Sequence, residues 1–541
     1  MEAMVKNLQK IMLIIALMLA ALICRLAYIQ IAGAEELSAA TRTQSLISLE
    51  GSNTRGIIYD RNGAALVADR KHYIYIIREN VFDRRAERLL RNLDADEVSS
   101  DNRGYKVYSS EEYDKDTGKT LIREYSAYIL QAAARYSDNQ TAAHLIGYVN
   151  RKDSSGAAGL ELMFDEQLSA FNRHIYAAAD VKGNILPGRG LIVTSDNETD
   201  SYVKSGIMTT VDKELQNAVE DIIEEESIDC AVVVLDSGGG IAAMACTPRF
   251  NPNDIASYLD GDGDELVNKA AQGEYAPGSV FKIVTAAAAL ENGIGAEQCF
   301  TCDGAAEAGS LSIACETGGE TGHGQIGFEQ AFAESCNSFF IKLAQQTGAD
   351  EIVEMAEKLG LGAKTLDGYP QESAGHLMSE SERYGDAIGN LAIGQGETLV
   401  TPLQIAAMTS IIASGGTDKG VHILMEDEPG SEQVISKKTA ETIGKMMEMT
   451  VTDGTAAVLD LKDEDGTPQA AVKTGTAEYA DKDSVGTHAW ITGYTPCSEP
   501  EYIITVFVEG GTSGAGSAGP VFQKIIEYLH ESGSYSRPAL A

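Results

Sequence analysis

The pattern of apolar and polar positions changes several times along the 541 residues. Lys6 and Lys10 precede an apolar run from Ile11 to Cys24 that continues, interrupted by Arg25 and Gln30, to Ala32. About 22 residues at ~1.5 Å each reach ~33 Å, enough to span a bilayer. Lysines on the short side put residues 1–10 in the cytoplasm and the rest outside, with Arg25 snorkelling to the outer headgroups. A cleaved signal peptide ending at Ala32-Gly33-Ala34 and a lipoprotein signal ending at Cys24 compete with a retained anchor over 11–32. Ile23 is too bulky before a lipoprotein cysteine and Arg25 sits badly after a short apolar region, so the anchor is favoured.

From 33 to 205 the chain is polar and mixed, with turn-rich stretches such as Asp94 to Asp101 and Asp114 to Gly118, and reads as a small α+β module. A second domain begins at 206. Met208-Thr-Thr-Val-Asp212 opens an amphipathic helix, and Ala231 to Leu235, Gly238-Gly-Gly240 and Ile241 to Cys246 form a hairpin by their turn chemistry. Helix-period segments dominate 252 to 460; strand patterns return at Ala470 to Glu478, His488 to Tyr494 and Tyr502 to Val508, and a last helix covers Pro520 to Leu529. Strands at both ends with helices between them predict an α+β fold: one antiparallel sheet from distant pieces, flanked by helices, with a helical subdomain inserted.

Composition narrows the partners. With 42 basic against 80 acidic residues and a formal charge of -38, a nucleic-acid partner is excluded. Apart from Cys24 the cysteines are Cys230, Cys246, Cys299, Cys302, Cys315, Cys336 and Cys497. Cys299, Cys302, Cys315 and His323 have spacings that a zinc site could use. A Cys302–Cys315 disulfide or plain buried thiols are favoured, because nothing else nearby resembles a metal-dependent active site; no cofactor and no metal are expected.

The candidate chemistry starts at Tyr275-Ala-Pro-Gly-Ser279-Val-Phe-Lys282, followed by an apolar, alanine-rich run to Leu290 and the stop signal Asn292-Gly293. Such a helix is buried, so two polar residues in its first turn need a reason. Positions i and i+3 share a face, which brings the Lys282 amine near the Ser279 hydroxyl. A lysine whose pKa is lowered by burial and a second cation can take the serine proton, and the helix N-terminus favours a developing oxyanion. Ser201-Tyr-Val-Lys204 has the same spacing but no apolar helix after it. Ser335-Cys-Asn337 falls between two helical patterns, where its hydroxyl can relay a proton and its amide can hold a substrate amide. Ser137-Asp-Asn139 and Ser195-Asp-Asn197 match too, but both precede Ser279 and lie in the first module. Lys473-Thr474-Gly475-Thr476 continues the apolar strand Ala470-Ala-Val472, and the glycine lets an extended peptide approach the strand edge. Lys473 can steer a terminal carboxylate and lower the pKa of Lys282, Thr474 offers that carboxylate a hydroxyl, and the amides of Ser279 and Thr476 can form an oxyanion hole.

Three such motifs in this order resemble those of the penicilloyl-serine transferases: Ser-x-x-Lys, Ser-x-Asn and Lys-Thr-Gly. Arg25-Leu26 with Gln30, Arg55-Gly-Ile-Ile-Tyr-Asp60-Arg61-Asn-Gly63 and Gly159-Leu-Glu161 are similar to the anchor and pedestal signatures of class B penicillin-binding proteins. Ala243-Met244, Phe250-Asn-Pro252-Asn253, Gly394-Gln395-Gly396 with Thr401-Pro402-Leu403, and His488-Ala-Trp490-Ile-Thr-Gly493 extend the likeness over nearly the whole chain. One departure is Asn251, where an aspartate before the proline is more usual.

The resemblance implies a peptidoglycan D,D-transpeptidase that forms an acyl-enzyme at Ser279, releases D-alanine and passes the acyl group to an amine on a neighbouring stem peptide. β-Lactams would be inhibitors at the same serine. With no glycosyltransferase domain ahead of the pedestal, the expected partner is a membrane glycan polymerase of the shape or division type. The alternatives are a D,D-carboxypeptidase, a serine β-lactamase, for which no deacylating base stands out, and a non-enzymatic β-lactam sensor, which would carry more membrane spans.

Overall fold

Runs rich in Ile, Val and Tyr supply the strands of the two largest sheets in the computed structural model, which describes residues 10, 12–20, 22, 46–48, 55–68, 70–99, 105–150, 155–169, 173–178, 191–195, 206–259, 261, 263–319, 321–480 and 485–533. They fall into two units, 1–55 with 70–133 and 170–201, and 56–69 with 134–169 and 202–541.

In the smaller unit β1 (Arg70–Arg78), α1 (Arg84–Arg91), β2 (Asp96–Ser99), β3 (Tyr105–Ser110), α2 (Lys115–Tyr125) and β4 (Tyr128–Ala134) follow in sequence, with the strands ordered β2-β3-β1-β4. Asp83 and Asp114 start the helices by accepting hydrogen bonds from first-turn amides. The helices bury Ala86, Leu90, Leu121 and Tyr125 against Tyr75, Ile77 and Tyr108 of the sheet. The backbone is helical at 12–20. Among the described residues no helix is long and apolar enough to cross a membrane, and residues 23–32 of the expected anchor lie outside them.

In the last and longest segment of the larger unit, α3 (Lys213–Glu226), capped by Asp212, is followed by the hairpin β5 (Cys230–Asp236) and β6 (Ile241–Cys246). Then come α4 (Lys282–Glu291), four short strands, β7 (Cys299–Cys302), β8 (Ala305–Ala308), β9 (Leu311–Ala314) and β10 (Gly324–Gly327), and the helices α5 (Phe328–Ala333), α6 (Asn337–Thr347), α7 (Pro402–Ala413) and α8 (Lys437–Thr452). The chain returns to the sheet with β11 (Ala471–Ala480), β12 (Val485–Thr495) and β13 (Tyr502–Val508), and α9 (Gly519–Glu531) follows.

The main sheet is antiparallel in the order β6-β5-β13-β12-β11, so β11 is an edge. β5, β6 and β13 read as nearly continuous apolar runs because both faces are covered. Val232, Val234, Ile504 and Val506 pack with Phe522, Ile525 and Leu529 of α9 on one face, while Val233, Leu235 and Phe507 meet the helical lobe on the other. Each buried aliphatic side chain contributes about 1.5–3 kcal/mol. A buried hydroxyl chain, Thr409 to Thr492 to Thr505 at 2.7 Å each, ties α7 to β12 and β13.

The sheet flanked by helices matches the expected α+β fold. The helical lobe, however, is not purely helical: β7 pairs with β10 and β8 with β9, a small β lobe that the helix-period reading passes over.

The first half of the chain also reaches into the larger unit. Ile57–Tyr59 pairs in parallel with Gly206–Met208. Arg61 donates to Asp236 at 2.8 Å and to the Thr210 carbonyl at 2.7 Å. Glu161, fully buried, pairs with Arg135 at 2.6 Å and accepts from the Tyr136 hydroxyl at 2.8 Å. The signature residues around Asp60 and Glu161 are therefore structural ties. Glu161→Ala, which takes the carboxylate from beside a mostly buried guanidinium, is expected to cost about 3–5 kcal/mol, read as a lowered urea midpoint with an unchanged m-value.

Candidate active site

Ser279 lies in a 3-10 turn, Gly278–Phe281, that runs straight into α4. Gly278 has φ +54, and a Cβ there would stand 2.4 Å from the Thr476 carbonyl, so only glycine lets this turn approach β11. The indole of Trp490 pins the preceding segment by donating to the Ala276 carbonyl at 3.0 Å. Phe281, Ile283, Val284 and Ala286 to Ala289 are fully buried, which holds α4 in the core while its first turn opens into the cleft. Ser279 is half-buried and lines a cleft of about 930 Å³ with Ser335, Asn337, Thr455, Thr474 and Thr476.

Lys282 has no solvent exposure. Its amine donates to the Ser335 carbonyl at 2.7 Å, the Ser335 hydroxyl at 3.1 Å and Asn337 Oδ1 at 2.7 Å; these bonds go to the Ser335–Asn337 turn rather than to the Ser279 hydroxyl. Ser335 adopts φ +57, a left-handed conformation costly for a non-glycine residue, and so turns both its carbonyl and its hydroxyl on Lys282. Lys473, also without exposure, donates to the same Ser335 hydroxyl at 3.0 Å and to the Thr474 carbonyl at 3.0 Å. The rings of Phe340 and Phe332 lie 5.5 and 5.6 Å from the Lys282 and Lys473 amines.

Burial lowers the Lys282 amine from 10.5 to about 7, against the opposing pull of Cys336, Cys315 and Glu316. Burial, and then the charge on Lys282, hold Lys473 well below its ordinary value. From sequence Lys473 is expected to lower Lys282; in the structure burial does that, and the charge of Lys282 acts on Lys473. A neutral amine, a hydroxyl bonded to both amines and a serine in one cleft can move a proton off Ser279.

The structure thus brings Ser279 of the 3-10 turn, Lys282 at the start of α4, Ser335 before α6, Asn337 at its start, and Lys473, Thr474, Gly475 and Thr476 of β11 to one place. Asn337 also donates to the Ala314 carbonyl at 3.1 Å, tying the β lobe to the site. Ser201 and Lys204 lie outside the described residues. Thr455 is a site residue the sequence reading omits: its hydroxyl is 2.5 Å from that of Thr474. The Gly454-Thr455 dipeptide after α8 is the only signal it carries. Cys302 and Cys315 are buried free thiols, so of the two arrangements favoured from sequence it is the plain thiols, not the disulfide, that the structure holds.

Serine, a lysine that can be neutral at physiological pH and an edge strand beside them define an active-site-serine acyltransferase on an antiparallel sheet. Residues 230–527 match the penicillin-binding protein transpeptidase domain, and 51–191 the penicillin-binding protein dimerisation domain. The chain belongs to the penicillin-binding protein transpeptidase family. Penicillin-binding protein PbpB of Mycolicibacterium smegmatis is 30% identical over 440 residues, 74% of this chain and 65% of that protein. Peptidoglycan D,D-transpeptidase PbpA of the same organism is 27% identical over 484 residues, 81% of this chain and 94% of the other. A chain of a solved peptidoglycan synthase complex, described for its structural coordination of polymerization and crosslinking, superposes with a TM-score of 0.72 at 25% identity, covering 99% of this chain and all of that one.

Acylation by a labelled penicillin should quicken as pH rises through about 7, because loss of the proton makes Lys282 a base, and should level off above. Lys282→Ala should remove that rise and slow acylation by ~10²–10⁴-fold. Rapid-quench measurements across pH check both.

Proposed function

We infer that the protein is a peptidoglycan D,D-transpeptidase, and the observation that carries this is the Lys282–Ser335–Lys473 relay beside Ser279. The Ser279 oxygen attacks the carbonyl between the two terminal D-alanines of a stem peptide, and its proton passes to neutral Lys282. The amides of Ser279 and Thr476 hold the oxyanion, supported by the close approach of Gly278 to Thr476. The peptide bond breaks as the leaving nitrogen takes a proton from the relay, free D-alanine departs, and a serine ester remains. Asn337 binds the substrate amide, while Lys473 and the Thr474 hydroxyl orient the terminal carboxylate. An acceptor amine gives its proton to the relay, attacks the ester and restores Ser279. The strained ring of a β-lactam opens at the same serine.

A glycan polymerase is the fitting partner, since the likeness to a chain of a synthase complex covers almost the whole protein. The proposed layout is a cytoplasmic tail at 1–10, an anchor at 11–32, a pedestal at 33–205 and a transpeptidase domain at 206–541, with the catalytic part outside the cell membrane. Exposed Met12, Leu13, Ile14, Leu17, Met18 and Leu22 support the anchor, because a lipid phase would cover them.

Labelled penicillin should give one adduct, mapped by mass to the Ser279 peptide, absent from Ser279→Ala and kept in Ser201→Ala. An adduct that survives loss of Ser279 overturns the mechanism. Incubation with stem pentapeptide and an acceptor amine should yield cross-linked dimer beyond hydrolysed tetrapeptide; hydrolysis alone would mark a carboxypeptidase.

A further inference from the structure

Four side chains that acyl transfer does not use converge behind the cleft. Cys302 closes β7, Cys315 follows β9, His323 precedes β10 and Cys336 caps α6. Their ligand atoms all lie within 4.8 Å of one another. Cys315 Sγ is 3.6 Å from Cys336 Sγ and 3.6 Å from His323 Nδ1. Sulfurs in a disulfide are ~2.05 Å apart, whereas zinc bonds of ~2.3 Å to sulfur and ~2.0 Å to nitrogen set tetrahedral neighbours about 3.5–3.8 Å apart. The three cysteines are buried free thiols, and Cys299, which the sequence spacing groups with them, is exposed and outside the cluster.

The surroundings suit a metal. His323 Nε2 stands 3.0 Å from Glu334 Oε2, the carboxylate contact that orients a ligating imidazole. The Phe339 amide donates to Cys336 Sγ at 3.4 Å, at a helix N-terminus that favours thiolate. A Cβ on Gly318 would lie 2.7 Å from His323 Nδ1, so glycine there keeps the ligand's place open. The lobe of β7 to β10 consists of two-stranded pairs, and most of β9 is exposed. A lobe with so little core gains most from a metal staple.

We propose that Cys302, Cys315, His323 and Cys336 form a structural zinc site that clamps the β lobe onto the Ser335–Asn337 turn. Binding displaces the three thiol protons to solvent and leaves a neutral imidazole, so the filled site carries one net negative charge. Cys336 stands between the two residues that hold Lys282, and Ser312, Ile313 and Ala314 of β9 line the cleft. A bond to Cys336 therefore fixes both the left-handed Ser335 and the cleft wall. The metal site is independent of the acyl-transfer reading; only its effect on acylation rests on it.

The purified full chain, supplied with Zn²⁺ and gel-filtered, should hold one zinc by mass spectrometry of the element, and Co²⁺ in its place should show tetrahedral thiolate absorption. Cys302→Ser and His323→Ala should lose the metal, while Cys299→Ser keeps it. A strong chelator should lower Tm and slow penicillin acylation, and added zinc should restore both. A wild-type chain that retains no zinc, or a Cys315–Cys336 disulfide in the zinc-supplied protein, overturns the site. Zinc whose removal leaves acylation unchanged overturns the clamp. Zinc held by a chain that penicillin never acylates supports the metal site and overturns the acyl-transfer reading instead.

Discussion

Two lysine amines with no access to solvent share one hydroxyl, that of Ser335, and the rest of the molecule is arranged around the cost of putting them there. Water stabilises an ammonium strongly, and a second cation nearby disfavours it further. Holding Lys282 at about 7 instead of 10.5 amounts to about 5 kcal/mol against its charged form. That penalty makes Lys282 useful, because an exposed lysine is a proton store rather than a base near neutrality. The left-handed backbone at Ser335 adds ~1–3 kcal/mol of strain, borne by the buried aromatic cluster of Phe328, Phe332, Phe339 and Phe340 around the turn.

The fold meets this cost by rigidity. Lys282 comes from a helix whose alanines pack against the core, Ser335 from a turn between two helices, and Lys473 from the edge of a sheet covered on both faces. Gly278 and Trp490 draw the first and third of these together. The open side of β11 is left to an extended peptide, which can add its own backbone hydrogen bonds and present a carbonyl to Ser279. Acyl transfer follows from that placement more than from any one residue's reactivity.

Local patterns showed most of this in the sequence. The alternation and apolar runs of β5, β12 and β13, the capping Asp212 and the apolar helix after Ser279 each carry their signal within ten or so residues. Other features had no such signal. Two strands of the β lobe, β8 (Ala-Ala-Glu-Ala) and β9 (Leu-Ser-Ile-Ala), lack β-branched and aromatic enrichment and form by pairing with each other across a turn. Thr209 bonds the Tyr59 carbonyl 150 residues away, a long-range contact that no window of sequence reports. Cys336 could be read as the filler of a Ser-x-Asn motif, and only the folded chain shows it facing Cys315. Thr455 becomes part of the site because the end of α8 delivers it to Thr474.

The protonation of the two lysines is the most direct test of this account. In protein labelled with ¹³C at lysine Cε, assigned with Lys282→Arg and Lys473→Arg, the Lys282 resonance should titrate near about 7, and Lys473 should titrate well below an ordinary lysine. Both amines keeping their charge up to the model-peptide value of ~10.4 would contradict it.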